Sequence, residues 1–256
     1  MAKTKKAPLS ERKSREKSPC FDNEKTENII TTYQERSLHA FLKSYFCPDD
    51  KNHEIKIGNF VADACDGTTI YEIQTGNLGT LSKKLSFYLK NTDYNIVVVR
   101  PLAQTKRIFW LDEASGELIK PTRPDPQRET IANGISNLFY LKDFLGDERL
   151  KICFVLMEID EIRLLDGYGK NKKIRATSVD RAAGEIYSVE YINNLDDVKR
   201  VVFPLLPDEP FSRDTLSKSL KLKGLALWSA QKLLVEGGII SCEKQGNKLV
   251  FGKVTK

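Results

Sequence analysis

The sequence predicts an α/β protein with an αβββαβ core in its N-terminal half and a small unit of helices and a hairpin at its C-terminus. Between residues 23 and 99, segments with apolar residues at helical spacing alternate with short extended runs. Tight-turn dipeptides separate the extended runs. Three prolines, Pro204, Pro207 and Pro210, mark a linker, because proline fixes φ and removes a backbone donor. We therefore expect a disordered basic tail at 1–20, an α/β domain at 21–203 and a second domain at 204–256.

The first predicted helix is followed by three short strands. Apolar residues spaced by about 3.6 positions predict the helix from Asp22 or Asn23 to about Phe46. Extended runs then predict strands at 54–57, 60–65 and 69–75. Gly58-Asn59 and Asp66-Gly67 separate these runs and are typical of two-residue hairpin turns, so the strands should form an antiparallel meander.

A second helix and a buried strand complete the core. Four leucines fall on one helical face: Leu78, Leu81, Leu85 and Leu89. The apolar run at 95–99 predicts a buried strand. Further along, the pattern predicts strands at 106–111 and 151–165, a helix at 129–144, and loops at 121–126 and 169–175.

The C-terminal segment shows the layout of a winged helix. Ser212 can cap a helix at 213–220, and a second helix at 225–236 ends at Gly237-Gly238. Strands at 239–243 and 248–254 follow. A helix, a turn, a helix and a β-hairpin in this order predict a minimal winged-helix domain.

Composition excludes several classes of protein. The 256 residues contain no apolar run near the roughly 18 residues that a membrane span needs. Five widely spaced cysteines without a CxxC pair argue against a disulfide scaffold, and two histidines are too few for a zinc finger. The N-terminus lacks the apolar segment of a secretory signal, so we expect a cytoplasmic protein that does not associate with membranes.

The net charge of +6 is unevenly distributed. Residues 1–19 hold seven basic and two acidic side chains, and residues 210–256 hold nine basic and three acidic ones. The intervening body is acidic. Basic ends favour attachment to a polyanion, although a lysine-rich leader is also typical of a solubilising tail.

Three acidic residues are candidates for a metal site. Glu72 and Gln74 share one face of the third strand, and a two-residue turn at Asp66-Gly67 would pair Asp63 with Ile70, diagonally from Glu72. Glu35 lies on the apolar face of the first helix. Carboxylates in apolar settings require a cation, and oxygen ligands favour Mg²⁺ or Mn²⁺. The alternative pairs Glu35 with His39 and Asp63 with a lysine.

These residues resemble the PD-(D/E)xK, or restriction-endonuclease-like, nuclease superfamily. The resemblance rests on the αβββαβ order with Asp63 followed by Glu72-Ile73-Gln74. It is closer to a bacterial family of similar length that also ends in a winged-helix-like segment, through residues 35–43, Val61-Ala-Asp63, residues 71–75 and Lys84-Leu85. It covers residues 27–101 and, more loosely, 210–251.

The resemblance implies a fold, a metal and a reaction. The fold would be a mixed-sheet restriction-endonuclease-like core, and the reaction would be metal-dependent hydrolysis of phosphodiester bonds in DNA. Asp63, Glu72 and the Ile73 carbonyl would bind the ion, with Glu35 as an additional ligand. Gln74 occupies the position where the family usually has lysine, and Lys84 on the next helix is a candidate replacement. Lys83 and Lys84 are otherwise ordinary exposed helix lysines.

Nucleic-acid contacts are expected from two regions, with duplex DNA as the partner. The candidates are basic or polar residues of the 169–175 loop, the second C-terminal helix and its hairpin: Lys170, Lys172, Lys173, Arg175, Gln231, Lys232, Lys244 and Lys248. Trp228 is expected in the core. Cleavage of both strands with one site per chain would favour a homodimer. The alternative function is a catalytically inactive, nuclease-like DNA-binding regulator or partner protein.

Overall fold

The computed structural model describes residues 37–111, 118–119, 125, 128–164, 177–246 and 248–255. The described helices are α1 (Leu38–Phe46), α2 (Ser82–Asn91), α3 (Ile131–Leu138), α4 (Leu195–Val202), α5 (Arg213–Leu220) and α6 (Gly224–Glu236). The first strands are β1 (His53–Ile57), β2 (Phe60–Cys65), β3 (Thr69–Ile73), β4 (Asn95–Leu111) and β5 (Leu118–Ile119). The later strands are β6 (Leu150–Leu164), β7 (Thr177–Ile192), β8 (Phe211–Ser212), β9 (Ile240–Gln245) and β10 (Lys248–Lys253).

The architecture is α/β, with a mixed sheet in the order β1-β2-β3-β4-β6-β7 and with β5 paired to β4. Strand β2 is antiparallel to both of its neighbours, β1 and β3, whereas β3, β4 and β6 run parallel to one another. Helix α2 connects β3 to β4, as a parallel pair requires a crossover. The predicted order of helix, three strands, helix and strand is therefore present from α1 to β4.

Alternating residues of β4 pack into two apolar layers. Ile96 and Val98 belong to a cluster with α2 and α3, while Val97 and Val99 belong to a second cluster with α1. A strand covered on both faces accounts for the continuous apolar run in the sequence. This strand is longer than predicted, because the predicted pieces at 95–99 and 106–111 form one element.

The hairpin predictions have different outcomes. Ile57 pairs with Phe60, so Gly58-Asn59 forms the predicted two-residue turn. The Asp66-Gly67 turn prediction is wrong, because Cys65 pairs with Ile70 and leaves a four-residue loop. The Asp66 carboxylate accepts hydrogen bonds from the N–H groups of Thr68 and Thr69, which stabilises the longer loop.

The C-terminal segment contains the predicted helices and hairpin but shares its core with the main sheet. Strands β8, β10 and β9 form a small sheet beside α5 and α6. One apolar cluster contains Leu227 and Phe251 of this segment together with Leu138 of α3. Leu206, within the predicted linker, is also buried in that cluster. Among the described residues, no helix has the length and apolar character needed to cross a membrane.

Several predicted features lie outside the described residues. These are the basic tail, residues 22–36 of the predicted first helix with Glu35, most of the 121–126 loop, and the basic loop with Lys170, Lys172, Lys173 and Arg175. The prediction of one helix that continues to Phe46 is wrong, because Ser37 is extended and caps α1, which begins at Leu38. Strand β7 and helix α4, by contrast, are described but were absent from the sequence-based prediction.

Candidate active site

Asp63 is a residue of β2 that lies next to the end of β3 and faces α1. Its Oδ2 accepts a hydrogen bond of 2.6 Å from the Ile73 N–H and lies 3.4 Å from Nε2 of His39. Burial raises the pKa of Asp63, but the hydrogen bonds from His39 and Ile73 and the charges of His39 and Lys84 outweigh it. The net pKa is below the ordinary value, so Asp63 is an anion at neutral pH.

Glu72 is enclosed, with only 1% of its surface exposed. Its Oε2 accepts a hydrogen bond of 2.6 Å from Nζ of Lys84, and its Oε1 accepts one of 3.2 Å from the Tyr88 hydroxyl. Desolvation by burial raises the pKa of Glu72 to about 7, although the hydrogen bond and charge of Lys84 oppose the rise. The negative charge of Asp63 contributes to the rise. Glu72 therefore exchanges its proton readily near neutral pH, and a further cation would favour its charged form.

The observed strand register brings these two carboxylates together more directly than predicted. Ala64 pairs with Tyr71 and Cys65 with Ile70. Continuing this register by one residue places Asp63 opposite Glu72, and not opposite Ile70. The observed pairing differs from the predicted one by two residues, and strand side chains alternate with a period of two. The two acids therefore still fall on the same face of the sheet, despite the error in the turn.

The Ile73 backbone faces the same site. Its N–H donates to the Asp63 carboxylate instead of to a carbonyl of β2. Since the N–H and C=O of one strand residue point toward the same neighbouring strand, the Ile73 carbonyl also faces Asp63. The Ile73 carbonyl is therefore directed toward the strand that carries Asp63.

Lys84 and its neighbour Lys83 differ in environment. The 3₁₀ turn Leu78–Leu81 leads into α2, whose Leu85 and Tyr88 are buried against the sheet. Lys84 lies at the border of this face with 18% of its side chain exposed, whereas Lys83 is exposed. The alternative of two ordinary surface lysines therefore describes Lys83 and does not describe Lys84.

The side chain of Gln74 makes its hydrogen bonds away from the carboxylates. Its Nε2 donates to Oγ1 of Thr80 at 2.7 Å, and its Oε1 accepts from the Gly76 N–H at 3.0 Å. Its backbone carbonyl accepts from Nη1 of Arg100 at 3.2 Å. Pro101 has no N–H to offer the ladder at this point, which explains why a guanidinium satisfies the carbonyl. The structure thus brings Lys84, and not the amide of Gln74, to Glu72.

The donor set suits a hard divalent cation. Two carboxylates and one carbonyl supply only oxygen, the ligand type that Mg²⁺ and Mn²⁺ prefer, and Mg²⁺ commonly binds through one or two carboxylates. The enclosed Glu72 carboxylate already has one positive partner, because Nζ of Lys84 lies 2.6 Å from its Oε2. Within the part of the chain that the structure describes, no group of three or more His, Cys, Asp or Glu residues surrounds a common point. Glu35, the third predicted acid, lies outside that part.

His39 and Tyr88 are the site residues that the sequence analysis did not assign to the carboxylates. His39 was considered as a partner for Glu35, whereas it contacts Asp63. Tyr88 could have been found from its position, because it follows Lys84 by four residues and lies on the same helical face.

The described candidates for nucleic-acid contact are separated from the carboxylates along the chain. Lys232 on α6 and the hairpin lysines Lys244 and Lys248 are exposed. Gln231 is half-buried, and its Oε1 is buried without a hydrogen-bond partner among the described residues. This oxygen is therefore not presented to a nucleic-acid groove in the observed arrangement.

Trp228 is exposed, so the expectation that it lies in the core is wrong. Its ring meets that of Phe139 edge to face with centroids 5.2 Å apart, while 39% of the residue remains exposed. This contact belongs to the interface of α6 with the helical layer around α3.

Comparison with known proteins places the chain in a family without assigning an activity. The chain is 29% identical over 192 residues to an "Uncharacterized protein" of Treponema pallidum (strain Nichols), covering 74% of each sequence. No solved structure gives a significant match. The profile of a family described as "Domain of unknown function (DUF8091)" matches residues 36–193, more than half of the chain and including Asp63, Glu72 and Lys84. The chain therefore belongs to the DUF8091 family.

Proposed function

We propose that this protein is a metal-dependent nuclease that hydrolyses phosphodiester bonds of DNA. The observation that carries the proposal is the convergence of Asp63, Glu72 and Lys84 from two strands and a helix. Two acids and a lysine in this arrangement are the components expected from the resemblance to the PD-(D/E)xK superfamily. Lys84 reaches Glu72 at 2.6 Å, which supports its assignment as the replacement for the usual lysine.

The arrangement of the surrounding elements also supports this proposal. The antiparallel strands β1, β2 and β3 are followed by the crossover helix α2 and the parallel strand β4. This is the mixed-sheet layout that a restriction-endonuclease-like core requires. The C-terminal helices and hairpin have the element order of a winged helix, and their exposed lysines are candidates for phosphate contacts.

Each residue has a defined part in the proposed reaction. Asp63, Glu72 and the Ile73 carbonyl would hold Mg²⁺ or Mn²⁺. When bound, such an ion polarises the phosphate and lowers the pKa of an attacking water. Asp63 would hold the ion as an anion, and the charge of the ion would favour the charged form of Glu72. Lys84 lies where its charge can stabilise a phosphate next to Glu72. Tyr88 keeps the Glu72 carboxylate oriented.

Cleavage of supercoiled plasmid tests the proposal. Purified protein with Mg²⁺ or Mn²⁺ should nick the plasmid, and EDTA should stop the reaction. Asp63→Asn and Glu72→Gln preserve side-chain size but remove a ligand charge, so each should reduce the rate on the order of 100-fold or more. Asp93→Asn, a change at an exposed residue outside the site, is the matched control and should cut at the wild-type rate. Equal rates in all four proteins would refute the assignment.

The alternative is a catalytically inactive DNA-binding protein with the same fold. It is favoured by the hydrogen bonds that hold the Gln74 amide on Thr80 and Gly76, and by the neutralisation of Glu72 by Lys84. The same samples decide between the two functions. Salt-dependent binding without cleavage of DNA or RNA would select the inactive protein.

A further inference from the structure

A cleft of about 1070 Å³ lies between the sheet and the C-terminal segment. Strands β4 and β7 contribute one wall, the beginning of α3 contributes a second, and the turn between α5 and α6 contributes a third. Thr130 and Asn133 of its lining form the capping box at the start of α3.

The lining is strongly basic. Glu129 contributes its single carboxylate. Six of the lining side chains are positively charged: Arg100, Lys106, Arg128, Arg181, Lys221 and Lys223. Lys106 is paired with Glu161, and Arg100 lies 3.8 Å from Glu129. Among the described residues, no ion-pair partner contacts the other four, all of which are exposed. The cleft therefore carries a surplus of positive charge that is available to a ligand.

Arg100 adds a buried donor to this surface. Only 11% of its side chain is exposed, and its Nε lies buried without a hydrogen-bond partner among the described residues. Arg100 thus adds a mostly buried positive charge to the lining of the cleft.

Asp63 and Glu72 do not line the cleft, but two lining residues are next in sequence to residues of the candidate site. Leu38 of the lining immediately precedes His39, which contacts Asp63. Thr75 of the lining follows Gln74, whose carbonyl accepts from Arg100. From these residues the basic lining extends to the α5–α6 turn, where Lys221 and Lys223 are located.

We infer that this cleft binds a single-stranded segment of nucleic acid through its phosphates and leads that strand to Asp63 and Glu72. A basic groove that follows the backbone is the usual means of holding a single strand. The volume of about 1070 Å³ is close to that of sites for single small ligands, so it suits a few nucleotides better than a segment of duplex. None of the described lining residues is aromatic, so recognition would depend on phosphates and not on base stacking. The inference that the cleft binds a single strand does not depend on the proposed nuclease function. The inference that the cleft presents this strand to Asp63 and Glu72 rests on that function.

Binding measurements without metal test this inference. A fluorescein-labelled oligothymidylate of about 12 nucleotides is titrated with the full chain in EDTA at several salt concentrations. The variant Lys221→Glu/Lys223→Glu reverses two charges in the cleft. The control Lys90→Glu/Lys151→Glu reverses two exposed lysines that do not line the cleft and have no proposed contact with nucleic acid.

The cleft variant should bind at least about 10-fold more weakly than the wild type. Its negative slope of log affinity against log salt should become shallower by about 1.4, the value for two lost single-strand phosphate contacts. The control variant should stay close to wild type. Arg181→Gln, a milder change within the cleft, should weaken binding in the same direction, and thermal melting confirms that each variant is folded. Equal affinity of the cleft and control variants would overturn the inference. Equal competition by a blunt duplex of the same length would overturn the single-strand assignment.

Failure of the inference and failure of the nuclease proposal give different results. If the wild type binds the strand through the cleft but never cleaves with Mg²⁺ or Mn²⁺, the cleft assignment holds and the nuclease proposal fails. If the wild type cleaves and the cleft variant binds and cleaves normally, the nuclease proposal holds and the cleft assignment fails.

Discussion

Asp63 and Glu72 are neighbours with opposite electrostatic behaviour. Asp63 accepts a backbone N–H and faces His39, and these partners hold its pKa below the ordinary value despite its burial. Glu72 is almost completely enclosed, so desolvation raises its pKa to about 7 even with Lys84 beside it. A pair composed of one fixed anion and one carboxyl near its titration point can accept a divalent cation with release of at most one proton.

Replacement of Lys84 distinguishes a role in the site from a general surface charge. Lys84→Met removes the charge but preserves much of the side-chain volume, and it leaves Glu72 without its closest cation. We expect plasmid cleavage to fall on the order of 100-fold, because the positive charge next to the phosphate is lost. Thermal melting with EDTA checks that the variant is folded.

Lys83→Met is the matched control for this experiment. Lys83 is the preceding residue on the same helix, but its side chain is exposed. Its replacement should leave cleavage unchanged. Equal loss in both variants would show that Lys84 contributes only to the general charge of α2.

At the residue scale, the sequence was informative where strand alternation governs the contact. The period of two residues placed Glu72 and Asp63 in one site, and this does not depend on the length of the intervening turn. The same alternation also placed Gln74 there, but β3 ends at Ile73. Beyond that point the Gln74 amide follows the local turn and bonds Thr80 and Gly76, contacts that strand periodicity does not predict.

At the scale of elements, the buried Glu161 of β6 pairs with Lys106 of the neighbouring strand β4 and with Arg163 of its own strand. Nε of Arg163 lies 2.8 Å from Oε1 of Glu161, and Lys106 contacts the other carboxylate oxygen. Burial raises the pKa of Glu161, but hydrogen bonds from Arg163 and Lys106 and their charges lower it to about 2 overall. The charged carboxylate therefore stabilises this part of the sheet.

This ion pair predicts a specific dependence of stability on pH. Because the pKa of Glu161 is lower in the folded protein than its ordinary value of 4.5, its contribution is complete above that value and is lost as the pH falls toward about 2. Glu161→Gln should reduce the free energy of unfolding at pH 7 by up to about 3 kcal/mol. The difference from wild type should shrink as the pH falls from about 4.5 to 2.

Denaturant unfolding at several pH values measures this difference. Glu185→Gln, at an exposed glutamate of β7, is the control and should differ from wild type by less than about 0.5 kcal/mol. A constant difference between Glu161→Gln and wild type from pH 7 to pH 3 would contradict the ion-pair account.

Elements with strong periodicity could be predicted, and those with weak burial could not. The apolar runs of β2 and β3 and the buried leucines around α2 matched the structure closely. Strand β7 was missed because it lies at the edge of the sheet, and Ala182 and Ile192 are its only buried apolar residues in the described part of the chain. An edge strand that buries so little lacks a readable alternation.

At the scale of the whole molecule, the C-terminal segment is continuous with the sheet. Leu227 and Phe251 share an apolar cluster with Leu138, and the Lys142 ammonium lies 2.6 Å from the carboxylate of Glu236 on α6. Lys221 and Lys223 of the same segment line the basic cleft. The sequence predicted the order of these C-terminal elements. It could not predict the cleft, because residues far apart in the chain, from Arg100 to Lys223, form it together.

The central claim is that Asp63 and Glu72 bind a divalent cation. Isothermal titration calorimetry of the metal-free protein with Mn²⁺ tests it without depending on the substrate or on turnover. We expect one ion per chain in wild type and in Asp93→Asn, and affinity reduced about 10-fold or more in Asp63→Asn and in Glu72→Gln, since each change removes one charged ligand. No binding to the wild type, or the same affinity in all four proteins, would contradict the account.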